Sequence, residues 1–139
     1  YAHRYAELAE QMAYQCQDPT RKQELLQIAS NCTRVPEKGA RNFYEACQSF
    51  WFVQQLIQME SSGHSISPGR FDQYMYPYYK SDMEAGNLTR EFAQELMDCI
   101  WVKLNDLNKC RDAASAEGFA GYSLFQNLIA GGRIKTVRM

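Results

Sequence analysis

The chain has 139 residues, of which 45% are apolar and 13% aromatic, and its formal net charge is −1. This length and apolar content are sufficient for one hydrophobic core. The near-zero charge provides no basic surface field, so the composition argues against a nucleic-acid partner and a membrane-surface partner.

The cysteines and histidines favour neither a disulfide scaffold nor a metal centre. The five cysteines are odd in number and widely spaced, and none forms a Cys-x-x-Cys pair. His3 and His64 have no recognisable metal-ligand spacing with carboxylates. The chain shows no signal-like start and no apolar run of about 18 residues. We therefore expect reduced, mostly buried thiols, no metal site and a cytoplasmic location. Because the chain starts inside a helical pattern without Met, we also expect an excised segment.

Helical periodicity and end signals predict two helices at the start of the chain. Apolar residues recur at intervals of three and four over residues 1–14, as in an amphipathic helix. This stripe consists of Tyr5, Leu8, Ala9 and Met12. Asp18 before Pro19 is typical of an N-cap followed by a first helical residue, so a second helix is expected over residues 19–31. Its inward residues should be Leu25, Leu26, Ile28 and Ala29.

Two longer helices are expected later in the chain. A wide apolar band over residues 40–60 predicts a helix that lies deep inside a larger protein. Its glutamines then need partners, because an unpaired buried amide costs about 1–3 kcal/mol. They are Gln48, Gln54, Gln55 and Gln58. Thr89 is the expected N-cap of a helix whose apolar period continues to residue 107, with Glu91 in its first turn.

The remaining segments are predicted to be less regular. Ser61–Gly69 should be a loop, because it is rich in Gly, Pro and Ser. A short helix or turn should follow over Tyr74–Lys80, and a short strand is expected over Leu124–Ala130. The predicted fold of this chain is mainly α, with about five helices and one short C-terminal strand.

Two sequence blocks carry the strongest functional signal. SSGHSISPGRFDQYMYP covers residues 61–77 and combines Gly, Pro, Arg, Asp, His and Tyr without a simple period. KCRDAASAEGFAGYSLFQNLIAGG covers residues 109–132. Both resemble the pyruvate formate-lyase-like domain of the glycyl radical enzymes, especially the branch with glycerol dehydratase, choline trimethylamine-lyase and hydroxyproline dehydratase. The resemblance covers residues 1–132, and residues 133–139 are expected to be a divergent or truncated tail.

The resemblance implies part of a larger α/β barrel enzyme. That enzyme would be a lyase or dehydratase that cleaves a C–O or C–N bond in a small polar substrate by radical chemistry. The family requires a thiyl cysteine in a Gly-Cys-x-Glu loop and a glycyl radical in an Arg-Val-x-Gly-Tyr loop, and neither motif occurs in this chain. The expectation is therefore an internal fragment with no catalytic residue, which contributes scaffold and pocket wall and is inactive alone.

The resemblance also implies the partners. An activating enzyme that uses S-adenosylmethionine and an iron-sulfur cluster would install the glycyl radical in the full-length protein. The remaining partners would be the rest of the parent enzyme and a small-molecule substrate. We expect no cofactor bound to this chain itself.

The same resemblance suggests four substrate-binding residues. It assigns the loop with His64 and Ser67 to the substrate cavity, and it gives Phe119 and Phe125 the task of shielding a carbon radical from water. From the residues alone, His64 is better explained as a loop histidine that satisfies backbone groups, and the two Phe are equally well explained as core. Arg70 and Asp72 are expected to anchor the loop through charge-assisted hydrogen bonds.

Two other functions stay open at this point. One is formate C-acetyltransferase, which transfers an acetyl group to coenzyme A. The other is a non-enzymatic helical module that binds a partner helix through exposed apolar surface.

Overall fold

In the computed structural model, the residues described are 1–61, 66–107, 112–119 and 126–131. Across these ranges the structure has six helices and two short strands, which confirms the mainly helical prediction. They are α1 (Ala2–Gln15), α2 (Pro19–Arg34), α3 (Phe43–Glu60), β1 (Gly69–Arg70), α4 (Phe71–Glu84), α5 (Arg90–Asp106), α6 (Ala113–Phe119) and β2 (Leu128–Ile129). None of the helices described is both long and apolar enough to cross a membrane.

Helix α1 buries a different face from the predicted one. Its buried residues are Ala2, Ala6, Ala9 and Ala13. Of the predicted apolar stripe only Ala9 is buried, whereas Tyr5, Leu8 and Met12 are each about half exposed. The prediction of the face was wrong because it weighted large apolar residues. The distance between packed helices depends on the side chains at the contact, and alanine allows the close approach of α1 to α2.

Helix α2 begins as the sequence predicts. The Asp18 carboxylate accepts hydrogen bonds from the backbone N–H groups of Thr20 at 2.8 Å and Arg21 at 3.3 Å, and Pro19 is the first helical residue. Leu25 and Ala29 are buried as expected, but Leu26 is exposed.

Helix α3 lies between two apolar clusters, which explains its wide apolar band. Phe52 joins residues of α1 and α2 in the smaller cluster, composed of Ala2, Ala6, Cys32 and Phe52. The larger cluster joins α3, α4 and α5. It consists of Phe43, Ala46, Cys47, Phe71, Met75, Leu88, Ala93, Leu96, Ile100 and Leu104. The Thr89 hydroxyl caps α5 by accepting from the N–H of Phe92 at 3.1 Å, as predicted.

The cysteines described are free thiols that differ in exposure. Cys32 and Cys47 are buried, Cys16 is half-buried and Cys99 is exposed. Burial raises the pKa of Cys32 to about 11 and that of Cys47 to about 12. These two thiols therefore stay protonated at neutral pH. In the part of the chain described, no group of three or more His, Cys, Asp or Glu side chains is arranged to hold a metal ion.

The first turn of α3 is fixed by buried polar contacts. The Asn42 side chain accepts from the N–H of Glu45 at 2.8 Å, and Asp82 accepts from the N–H of Phe43 at 2.7 Å. Glu45 has a side chain that is 1% exposed, and it accepts hydrogen bonds from the backbone N–H and the guanidinium of Arg41. Arg34 lies 3.6 Å from the same carboxylate. These contacts join the end of α2 to the start of α3.

We expect Glu45→Gln to lower the free energy of unfolding at neutral pH by about 2 kcal/mol, because hydrogen bonds to a charged group are lost. Burial opposes ionisation of Glu45, but the hydrogen bonds from Arg41 and the charges of Arg41 and Arg34 outweigh it and lower the pKa. The difference in free energy of unfolding between wild type and Glu45→Gln should be fully present above about pH 4.3, the ordinary pKa of glutamate. It should disappear as the pH falls through the lower pKa that Glu45 has in the folded state.

Urea unfolding of the purified protein at several pH values measures this difference. The matched control is Glu24→Gln, which removes an exposed ion pair with Arg21 within α2 and should change little. A Glu45→Gln variant that loses no stability at pH 7, or loses equally at every pH, would contradict the assigned role.

The two strands form a short parallel pair that joins distant parts of the chain. Gly69 lies opposite Leu128 and Arg70 opposite Ile129. The N–H of Gly69, a residue with φ of 69°, donates to the carbonyl of Asn127 at 3.2 Å. Of the strand predicted over Leu124–Ala130, Leu128 and Ile129 form β2, and residues 124–125 lie outside the described residues. The predicted loop over residues 61–69 was wrong at its end, because Gly69 already belongs to β1.

Asp72 and Arg70, both predicted to be anchors, have different surroundings. The Asp72 carboxylate accepts from the N–H of Gly131 at 2.8 Å, just beyond β2. Its other oxygen, Oδ1, is buried without a partner among the residues described. Arg70 is exposed, and its guanidinium is 3.5 Å from the Gln73 amide oxygen, which is a long contact. The described contact of Asp72 is thus with the residue that follows β2 and Ala130, and the anchoring of the loop by Asp72 and Arg70 stays a prediction.

Helices α4 and α6 differ from the sequence predictions. Helix α4 extends well beyond the predicted Tyr74–Lys80 and contains Pro77. The helix begins at Phe71, three residues before the predicted start. Phe71 and Met75 are buried in the core, and the acidic Asp72 stabilises the first turn. The short helix α6 was not predicted, because its small residues show no apolar period.

We expect Asp72→Ala to accelerate amide hydrogen exchange at Gly131 about tenfold or more, because the N–H then loses its charged acceptor. Arg70→Ala, a change in the same segment, should leave this exchange rate unchanged. Exchange followed by mass spectrometry on peptides that contain residues 126–131 measures both. Equal effects of the two substitutions would show that Asp72 does not anchor β2.

Candidate substrate-pocket wall

The strand pair brings together the two sequence blocks that carry the family resemblance. β1 belongs to the block over residues 61–77, and β2 belongs to the block over residues 109–132. The segments that immediately precede the strands, Ile66–Pro68 and Gln126–Asn127, lie side by side. We call these two segments together the wall segments. Both predicted substrate-contacting loops lead directly into them.

Gln54 of α3 connects the two wall segments. Its side chain is buried, with 4% of the residue exposed. The side-chain amide donates one hydrogen bond to the carbonyl of Ile66 at 2.9 Å and another to the Gln126 amide oxygen at 2.9 Å. One side chain of the central helix therefore contacts each wall segment.

Two further glutamines extend this arrangement. The Gln126 amide donates to the carbonyl of Leu104 at 3.0 Å, which joins the second wall segment to α5. The Gln58 amide donates to the carbonyl of Ile66 at 3.4 Å, and its own oxygen is buried without a partner in the described ranges. The sequence indicated that glutamines of α3 need partners, but it did not identify Gln126 as one.

Ser67 is exposed on the first wall segment. Its hydroxyl oxygen accepts from the N–H of Asn127 at 3.3 Å. A hydroxyl that accepts one hydrogen bond still has its own proton to donate. Ser67 can therefore hydrogen-bond a ligand while it remains attached to the other wall segment.

Ser67 lies along an open groove of about 600 Å³. The groove runs between α3, the first wall segment and α4, and the polar groups on these elements include Gln54, Ser67 and Tyr74. The Tyr74 hydroxyl donates to the carbonyl of Pro68 at 3.2 Å, and burial raises the pKa of Tyr74 to about 12. These three side chains are neutral at physiological pH. They can hydrogen-bond the hydroxyl groups of a small molecule, and the charged side chains of Glu37 and Lys38 line another part of the same groove.

Of the four predicted substrate-binding residues, the structure describes one in full. His64 and Phe125 lie outside the described residues. Phe119 is the last residue of α6, and its side chain also lies outside the described part. The grouping of these three with Ser67 stays a prediction.

Two tyrosines of α4 make ring contacts with phenylalanines of the core. The ring of Tyr74 lies 5.5 Å from that of Phe71, and Tyr79 lies 5.7 Å from Phe43, both edge-on. Edge-on contacts of this kind are typical of aromatic side chains that pack against each other.

Comparison with known proteins places this architecture in a family. The model of the pyruvate formate lyase-like family matches residues 1–138. A solved structure that concerns 1,2-propanediol dehydration in Roseburia inulinivorans is 74% identical, with a TM-score of 0.89 over 96% of this chain and 17% of that one. The glycerol-bound B12-independent glycerol dehydratase from Clostridium butyricum is 56% identical, with a TM-score of 0.86 over 96% of this chain and 16% of that one.

A relative with a different substrate is less similar. The isethionate sulfite-lyase of Desulfovibrio desulfuricans is 43% identical over 135 residues, which are 96% of this chain and 16% of the relative. The chain thus spans about a sixth of the length of the proteins it matches. It belongs to the pyruvate formate lyase-like family of glycyl radical enzymes.

Proposed function

We propose that this chain is one section of a glycyl radical dehydratase that removes water from a small 1,2-diol such as 1,2-propanediol or glycerol. One observation carries this proposal: the chain is 74% identical, over 96% of its length, to the structure that concerns 1,2-propanediol dehydration. The glycerol dehydratase at 56% identity supports the same substrate class. In this proposal the section contributes scaffold and part of the pocket wall.

The reaction breaks one C–O bond and changes no net oxidation state. A 1,2-diol is converted to an aldehyde and water, so 1,2-propanediol gives propanal. In the parent enzyme an activating enzyme with S-adenosylmethionine and an iron-sulfur cluster would install the glycyl radical. That radical would pass to the thiyl cysteine, which abstracts hydrogen from the substrate. The radical loops do not occur in these 139 residues, so this section is inactive alone and needs the remainder of the parent enzyme.

The residues of this chain bind and enclose the substrate. His64 and Ser67 hydrogen-bond the diol hydroxyls, which fixes the carbon that reacts. Phe119 and Phe125 form apolar wall that keeps water away from the radical intermediate. The exposed Ser67 hydroxyl, with its proton available, supports this assignment. We further propose that the enzyme is cytoplasmic, with no nucleic-acid or membrane partner.

The DNA sequence of the native locus tests the parent enzyme directly. A Gly-Cys-x-Glu loop downstream of residue 139 in the same reading frame, followed by a glycyl loop, would support the proposal. A reading frame that contains neither loop would overturn it and favour the helical interaction module. The alternative assignment as formate C-acetyltransferase predicts coenzyme A-dependent acetyl transfer, which the activated enzyme can be assayed for.

Ser67→Ala should raise KM for 1,2-propanediol about fivefold in the full-length, anaerobically activated enzyme, because one hydrogen bond to the substrate is lost. Aldehyde formation measured against diol concentration gives KM and kcat. The matched control is Ser30→Ala, an exposed serine on α2, which should change neither constant. An unchanged KM in Ser67→Ala would remove Ser67 from the pocket. An unchanged KM for 1,2-propanediol in His64→Ala would likewise remove His64 from the pocket.

A further inference from the structure

The amide of Gln54 contacts both wall segments from α3, in addition to the direct hydrogen bonds between them. It donates to a backbone carbonyl on one segment and to a side-chain oxygen on the other, both at 2.9 Å. Both of its N–H groups are therefore used. Since each acceptor lies on a different wall segment, the side chain sets the distance between them.

We infer that Gln54 is a positioning residue, which determines substrate discrimination by fixing Ser67 relative to the second wall segment. This inference rests on the proposed function. Ser67 follows directly after Ile66, the residue whose carbonyl Gln54 binds, and its hydroxyl contacts Asn127, directly after Gln126. A displacement of either segment therefore changes the position of the Ser67 hydroxyl relative to the other segment.

The strand pair cannot provide this positioning by itself. Each strand has only two residues, and an isolated pair of strands is marginally stable even when longer. The support comes from buried side chains. Gln54 and Gln58 are buried to nearly the same extent, but Gln54 makes the shorter contact to the carbonyl of Ile66, at 2.9 Å against 3.4 Å. Gln126 in turn donates a hydrogen bond to the carbonyl of Leu104 in α5.

The test uses Gln54→Leu in the full-length enzyme, a change that removes both donors at similar volume. Amide hydrogen exchange should become about tenfold faster on peptides that contain Gly69 and Asn127, whose N–H groups bond across the wall segments. The matched control is Gln55→Leu. Gln55 is the next residue of α3 and accepts from the Tyr1 hydroxyl at 2.9 Å, away from the wall segments, so exchange there should stay unchanged.

Activity separates positioning from mere support of the fold. Partial unfolding lowers kcat for every substrate equally and leaves KM unchanged. Displacement of Ser67 should instead raise KM and change the ratio of kcat/KM for 1,2-propanediol and glycerol about fivefold or more. Unchanged KM and an unchanged ratio in a folded Gln54→Leu enzyme would overturn the inference.

Gln126→Leu removes the acceptor of the Gln54 hydrogen bond at a half-buried position. If Gln54→Leu does not fold, hydrogen exchange and KM in Gln126→Leu test the inference instead. Gln54→Leu and Gln126→Leu remove the same hydrogen bond. The enzyme with both substitutions should therefore show a smaller increase in exchange rate than the sum of the two single increases. Additive effects would overturn the inference. If the wild type converts neither diol, the proposed function fails, and hydrogen exchange still decides whether Gln54 joins the wall segments.

Discussion

The need to satisfy polar groups buried on α3 determines how the rest of this chain is arranged. α3 lies between two apolar clusters, yet it carries Glu45, Gln54 and Gln58 on buried positions. A buried polar group without a partner is costly, so each of these side chains has to contact another segment. Glu45 thereby fixes the connection from α2, and the two glutamines fix the first wall segment. The same helix that forms the core also orients the candidate site.

This dependence explains how two very short strands can be part of a defined site. Backbone pairing between β1 and β2 is limited to four residues, and side chains from three directions complete it. Gln54 contacts the wall segments from α3, Asp72 contacts the end of β2 from α4, and Ser67 joins the segments themselves. The position of Ser67 therefore depends on helix packing, because Gln54 and Asp72 reach the strand pair and the wall segments from α3 and α4.

The sequence predicted local features well and long-range contacts poorly. Asp18 and Thr89 were recognised as caps because a cap depends only on the next few residues. The buried face of α1 was wrong, because the choice between alanine and the larger apolar residues depends on how closely α2 approaches. Gln54 clearly needed a partner, but Gln126 is 72 residues away, and no local pattern indicates which residue fills that place. Ser67 was proposed from the family resemblance, and its role stays a prediction, whereas Gln54 lies in an ordinary helical pattern.

The similarity to solved structures shows that side chains vary more than the backbone in this section. Identity falls from 74% to 56% between the two dehydratase-related structures, while the TM-score falls only from 0.89 to 0.86. The helical frame thus tolerates many substitutions with little displacement. A close-packed frame transmits small shifts, so a buried side chain behind the pocket wall can alter the position of an exposed hydroxyl. Gln54 occupies such a place, between the frame that stays constant and the surface that would contact the substrate.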